Sequence, residues 1–117
     1  MSLIHDQKNN VVGYLFNHLI ISVKDNKLIG IILGNCVYTA NAKLIGTYFK
    51  EKIIDTKGET IAVVKTIISQ TDKLLSERHQ FIDESWEIIK KIKADVYGLV
   101  KEKSVWSKNS FIDVLSL

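Results

Sequence analysis

The chain has 117 residues, of which 46% are hydrophobic and 25% charged, with a formal net charge of +3. That is the balance of one modest globular domain and excludes an intrinsically disordered chain. A single cysteine, Cys36, excludes an intramolecular disulfide, and no apolar run approaches the roughly 20 residues that cross a bilayer.

The opening residues, Met1 to Asp6, show no basic stretch followed by an apolar one. The expectation is therefore a cytoplasmic protein without a signal peptide or a membrane span. From residue 9 onward a repeat takes over. Val11-Val12-Gly13-Tyr14-Leu15-Phe16 opens the first copy, and Leu28-Ile29-Gly30-Ile31-Ile32-Leu33 the second. Leu44-Ile45-Gly46-Thr47-Tyr48-Phe49 opens the third, and Thr60-Ile61-Ala62-Val63-Val64-Lys65 a fourth, partial one. The small residues Gly13, Gly30, Gly46 and Ala62 lie 17, 16 and 16 residues apart. Near-constant spacing with matched residue types marks a structural repeat.

Each opening run is followed by two polar residues and a shorter apolar run. Asn17-His18 precedes Leu19 to Val23, Gly34-Asn35 precedes Cys36 to Thr39, and Lys50-Glu51 precedes Lys52 to Thr56. Short β-branched and aromatic runs split by two polar residues predict β-hairpins. Gly34-Asn35 suits a turn with positive φ, whereas Lys50-Glu51 lacks the residue types that favour one. The copies are joined by Lys24-Asp25-Asn26, Ala40-Asn41-Ala42 and Lys57-Gly58-Glu59, where Asn and Gly accommodate left-handed backbone. The expectation is about seven short antiparallel strands in an up-and-down array. A small residue inside a strand marks a bulge or a close backbone approach. Its recurrence predicts that the hairpins converge on a common axis. Strand alternation puts Ile29, Ile31 and Leu33 on one face, with Gly30 and Ile32 on the other. One face fills the centre and the other needs cover.

The doubled Lys27-Leu28-Ile29-Gly30 and Lys43-Leu44-Ile45-Gly46, each leading into a hairpin, resemble the repeat of the bacterial four-fold β-flower proteins. The resemblance covers about residues 9–65. Trp106-Ser107 with Phe111 is similar to a short C-terminal aromatic motif of that family. It implies hairpin petals around a pseudo-four-fold axis and implies no activity. The chain departs from the family pattern in its long predicted helix and its lack of proline. Arrays built on a Tyr-x-Gly-x-Trp core fit less well, because the repeats contain no Trp.

After Lys65 the period changes. Leu75, Ile82, Ile89 and Val96 fall seven apart, as do Ile92 and Leu99, and Leu74, Phe81 and Ile88 widen the stripe. This predicts one long amphipathic helix of roughly 30 residues, or about 45 Å. Its stripe either covers the hairpins or pairs with the same helix of a second copy; Arg78 and Ser85 interrupt the seam. The closing stretch carries Trp106, Phe111 and Leu115, which dock into the protein's own core or enter a groove on a partner. The fold expected is a β-hairpin array over residues 1–66 followed by a helical segment over 67–117, in one structural domain.

No set of residues commits the chain to a reaction. His5, His18 and His79 have no metal-ligand spacing, and Cys36 has no second cysteine to form a zinc site. Cys36 reads as a structural thiol. Asp83, Glu84 and Glu87, and Lys90, Lys91 and Lys93, read as solvated helix faces. There is no phosphate-binding glycine loop and no Gly-x-Ser-x-Gly. The single arginine, Arg78, argues against sequence-specific nucleic-acid binding. Catalytic residues, metal and cofactor are therefore expected to be none. Tyr14, Tyr38 and Tyr48 recur in the repeats and are candidates for lining a pocket near the axis. The leading expectation is a non-enzymatic interaction or self-association module, with Leu75, Ile82, Ile89, Ile92, Val96 and Leu99 as its helix interface. The alternative is a domain that binds a small apolar ligand at the centre of the array; an enzyme comes third.

Overall fold

The fourth, partial copy of the repeat finds its missing half at the other end of the chain. In the computed structural model, which describes residues 2–66, 78–92 and 105–116, eight strands follow one another. They are β1 (Ser2–His5), β2 (Val11–Phe16), β3 (Leu19–Ser22), β4 (Leu28–Leu33), β5 (Cys36–Thr39), β6 (Leu44–Phe49), β7 (Lys52–Asp55) and β8 (Thr60–Thr66). Each pairs antiparallel with the next, and β8 pairs with β1, closing a barrel. A copy is a long strand, a two-residue turn and a short strand. The residue two after the small one pairs across each turn: Leu15 with Ile20, Ile32 with Val37, Tyr48 with Ile53. Val64 pairs with Ile4 in the same register. β1 is thus the short strand of the fourth copy, and closure leaves no edge strand among these eight.

The register slips once in each copy, at Ile4/His5, Ile20/Ile21, Val37/Tyr38 and Ile53/Ile54. Val12, Ile29, Ile45 and Ile61 are the extra residues, each directly before its small residue. A bulge bends the strand and increases its twist, which a barrel of short strands needs in order to close. The bulge also breaks the simple alternation expected from the sequence. Ile29 packs against the interior cluster rather than sharing a face with Ile31, which lies in the outer one. The small-residue column is explained here too, but differently from a bare central axis. A Cβ on Gly13 would stand 2.8 Å from the Ile21 carbonyl oxygen, and one on Gly30 2.6 Å from that of Tyr38. On Gly46 it would collide with the Ile54 carbonyl. The close approach is to the backbone of the hairpin partner at the bend.

Each tight turn opens on left-handed backbone, and two of them keep it at the second residue: Asn17 and His18 at φ 45° and 71°, Gly34 at 59°, Lys50 and Glu51 at 50° and 62°. Such turns match the twist of the flanking strands. The wider turns between copies repeat a second device. Asp6, Thr39 and Asp55 each accept two backbone N–H bonds, from the residues two and four further on. Ser22, in a turn one residue longer, accepts from Asp25. Asn9, Asn26, Ala42 and Gly58 supply the positive φ. The two ends of the barrel therefore differ, with tight turns at one and wide turns at the other.

Two helices complete the described structure, α1 (Arg78–Lys91) and α2 (Phe111–Leu115). α2 plugs the barrel. Its approach is fixed at the start of β8, where Thr60 donates to Val105 and Ser107 donates to Thr60, both at 2.7 Å. Ser110 caps it by accepting from the Asp113 N–H. Phe111, Val114 and Leu115 then join the interior cluster with Ile4, Ile20, Val37 and Ile53. Leu115 Cδ2 lies 3.3 Å from where a Gly30 Cβ would stand. Burying a side chain such as Phe111 contributes about 1.5–3 kcal/mol. Because Thr60 sits beside a wide turn, the plug enters at that end.

α1 lies on the outside, with Phe81 and Ile88 buried against Leu19, Ile21, Leu28 and Ile31. Ser85, which interrupts the apolar seam, is buried with its hydroxyl donating to the Ile82 carbonyl at 2.6 Å. The single helix of about 30 residues expected from the sequence is not what the structure gives. α1 has 14 residues. It ends where the Ile92 N–H turns back onto the Ile89 carbonyl at 3.1 Å, which brings Ile92 into the outer cluster. Leu75, Val96 and Leu99 of the expected interface lie outside the described residues.

Two outcomes follow. Alanine at Gly46 is expected to cost more than alanine at Gly30 or Gly13, and each more than the ~1 kcal/mol typical of a point mutant, read as urea midpoints. Equal, small losses would contradict the close approach. Replacing Lys50-Glu51 by Asn-Gly is expected to raise stability by about 1 kcal/mol, because Gly puts no side chain in the left-handed region and Asn tolerates it better than Lys. An unchanged midpoint would contradict strain in that turn.

Candidate functional site

The two ends of the barrel are not equivalent chemically either. The wide end is closed by α2. At the tight end the turns hold the ring together from outside: the N–H groups of Ile32, Tyr48 and Val64 donate to the carbonyls of His18, Asn35 and Glu51, each at 2.8 Å. At the fourth corner, where the chain ends stand in for a turn, the hydroxyls of Ser2 and Thr66 are 3.4 Å apart. Inside this rim is an open recess of about 500 Å³, lined by Ser2, Leu15, Phe16, Asn17, His18, Ile32, Gly34, Asn35 and Tyr48.

The recess is built by the repeat. Leu15, Ile32 and Tyr48 occupy the same position in three copies, two residues after the small one, and point inward because the strand alternates. The fourth equivalent, Val64, is 2% exposed and belongs to the core beneath. Asn17, His18, Gly34 and Asn35 come from two neighbouring turns. Among the described residues, no lining residue is Asp, Glu, Lys or Arg. Among the described residues the side chains of Asn17, His18, Asn35 and Tyr48 are in no hydrogen bond. Burial, and secondly the nearby Glu51 carboxylate, push the Tyr48 phenol above its ordinary value. It therefore stays a hydrogen-bond donor throughout the neutral range.

A second, smaller cavity of about 220 Å³ adjoins the first, between the rim and α1. Its walls are Leu19, Ile31, Leu33, Ser85 and Ile89, together with Asn17, His18, Ile32 and Gly34 of the recess.

Of the tyrosines picked from the sequence, Tyr48 lines the recess. Tyr14 and Tyr38 stand on the other face of their strands and pack in the outer cluster near α1, with the Tyr14 hydroxyl donating to Asn26 Oδ1 at 2.6 Å. Ile82, Ile89 and Ile92 are half-buried against that same cluster. Trp106 is half-buried in its bridge to Thr60, and Phe111 and Leu115 are in the core. Cys36 is half-buried on β5. His5 is buried and its Nδ1 has no hydrogen-bond partner among the described residues. His18 is exposed on the rim, while the side chain of His79 lies outside the described residues. Asp83, Glu84, Glu87, Lys90 and Lys91 are exposed on α1, and Lys93 lies outside the description. Among the described residues no three His, Cys, Asp or Glu side chains gather to hold a metal. Also among them, no helix is long and apolar enough to cross a membrane. Leu15, Ile32, Asn17 and Asn35 escaped the sequence reading. Their signal was the conjunction of a tight turn with the inward position beside it.

A family model described as "4-fold beta flower protein" matches residues 2–115. No curated protein and no solved structure matches the chain.

The raised Tyr48 pKa has a consequence for stability. The folded state holds this proton more tightly than the unfolded state, so the contribution is full below the unfolded value, about pH 10. It is lost as pH rises through the folded value. In urea titrations at rising alkaline pH, wild type is expected to lose stability faster than Tyr48→Phe. Parallel curves would contradict the shift.

Proposed function

The chain belongs to the 4-fold β-flower family, and on that footing we propose that it is a non-enzymatic binding module. Its ligand is a small uncharged molecule with an apolar body and a hydrogen-bonding edge, held in the recess at the tight-turn end. The observation that carries this reading is the lining: an apolar floor of Leu15 and Ile32 beneath unengaged polar groups on Asn17, Asn35, His18 and Tyr48. Sites of this size bind through apolar contact and take their orientation from a few polar groups. Among the described residues the lining holds no carboxylate, lysine or arginine, which favours a neutral ligand, since a buried charge needs a partner. Ser2, the one lining hydroxyl nucleophile among the described residues besides the Tyr48 phenol, is engaged with Thr66 rather than with His18, which supports binding without turnover.

Self-association through the helix would need an exposed apolar stripe. Phe81, Ser85 and Ile88 are spent on the barrel, which weakens that reading for the described part of the helix. One observation keeps it as a second reading: Trp86 is 57% exposed.

Phenol is the simplest probe of the first reading. It is expected to bind in the millimolar range, about −4 kcal/mol, and to be rejected when replaced by benzoate or benzylammonium. Tyr48→Phe is expected to weaken it and Leu15→Trp, which fills the floor, to abolish it, both read by calorimetry. Absence of phenol binding, or binding indifferent to both substitutions, would overturn the proposal.

A further inference from the structure

Three turns ring the recess, and one of them lacks a side chain at its first position. Asn17, Gly34 and Lys50 are equivalent, each opening a tight turn with positive φ. A Cβ on Gly34 would meet nothing within 4 Å. Gly34 also belongs to the wall between the recess and the smaller groove under α1. The two cavities share Asn17, His18, Ile32 and Gly34 as a common wall. Of the residues in that shared wall, Gly34 alone carries no side chain.

The two compartments differ in character. The recess combines an apolar floor with unengaged polar groups. The groove is formed by Leu19, Ile31, Leu33 and Ile89, and its added polar side chain, Ser85, already donates its hydroxyl to the Ile82 carbonyl. Among the described residues, neither cavity has an Asp, Glu, Lys or Arg in its lining. A ligand matched to both has a polar, ring-sized head and an uncharged apolar extension.

Resting on the recess reading above, we infer that the ligand is two-part: a hydrogen-bonding ring seated in the recess, carrying an unbranched apolar chain. The chain crosses the rim at Gly34 and lies in the groove against Leu33 and Ile89. The glycine serves as a notch. A side chain there, as at the two equivalent turns, would stand in the path of the chain while leaving the recess open.

A calorimetric series on the full chain, from phenol through 4-methylphenol to 4-octylphenol below their aggregation limits, tests this. In wild type, affinity is expected to rise about fourfold for each methylene that enters the groove, then level off when the groove is full. In Gly34→Asn the rise is expected to vanish, so that every member of the series binds only as well as phenol does in that same variant. Asn suits the φ of +59° at this position, so the turn is kept. Ile89→Gln, placed on α1 away from the turns, is a second variant and is expected to flatten the series without touching phenol. Phenol binding with no gain along the wild-type series, or an equal gain in both variants, would overturn the two-part ligand and leave the recess reading standing. Failure of the whole series, phenol included, would overturn both.

Discussion

The barrel depends on one non-local pairing, β1 with β8. These strands are the two halves of one repeat copy separated by the rest of the array, with Ser2 and Thr66 side by side though 64 residues apart. Closing a loop of that length costs on the order of 4 kcal/mol in chain entropy. The return is a ring with no open edge, and Ile4 is sealed in the centre at 0% exposure. Without that pairing, β8 and β1 would each expose an edge and the interior would open along one side. The recess depends on it as well, since Ser2 and Thr66 form the fourth corner of its rim.

Closure of so short a set of strands requires sharp bending, and one local device supplies it in all four copies. A bulge at Val12, Ile29, Ile45 or Ile61 precedes a Gly or Ala, and in the three glycine copies it brings that residue against the carbonyl of its hairpin partner. The bend also turns the bulged residue inward, so each copy adds an extra apolar group to the core. The two rims then diverge. Wide turns, set by Asp6, Ser22, Thr39 and Asp55, leave room for α2 to enter. Tight turns narrow the other end without filling it. The asymmetry of a pseudo-symmetric frame is what produces a cup rather than a solid plug.

Much of this was legible in the sequence, and the exceptions have physical causes. The repeat period, the small-residue column and both kinds of turn could be read because each rests on local backbone requirements. β1 could not, since a four-residue strand without its glycine-bearing partner shows no period of its own. The expected helix was too long because a seven-residue apolar spacing records which side faces inward, not where a helix stops. Lys50-Glu51 was a poor turn by composition and forms one anyway, held by the ladder on either side. Tyr14 and Tyr48 look alike in the repeat. They stand one and two residues beyond their glycines, on opposite faces, and only Tyr48 reaches the recess. The remaining recess residues became visible once the ring was closed, because they come from different copies.

The proposed ligand site lies at the tight-turn rim, opposite the plug. The most direct measurement is a phenol titration of isotopically labelled protein followed by amide NMR. The account predicts the largest shifts at the backbone amides of Ile32 and Gly34 and the side-chain amides of Asn17 and Asn35. Shifts centred on the wide turns at Ser22, Thr39 and Asp55, with the tight rim unmoved, would contradict it.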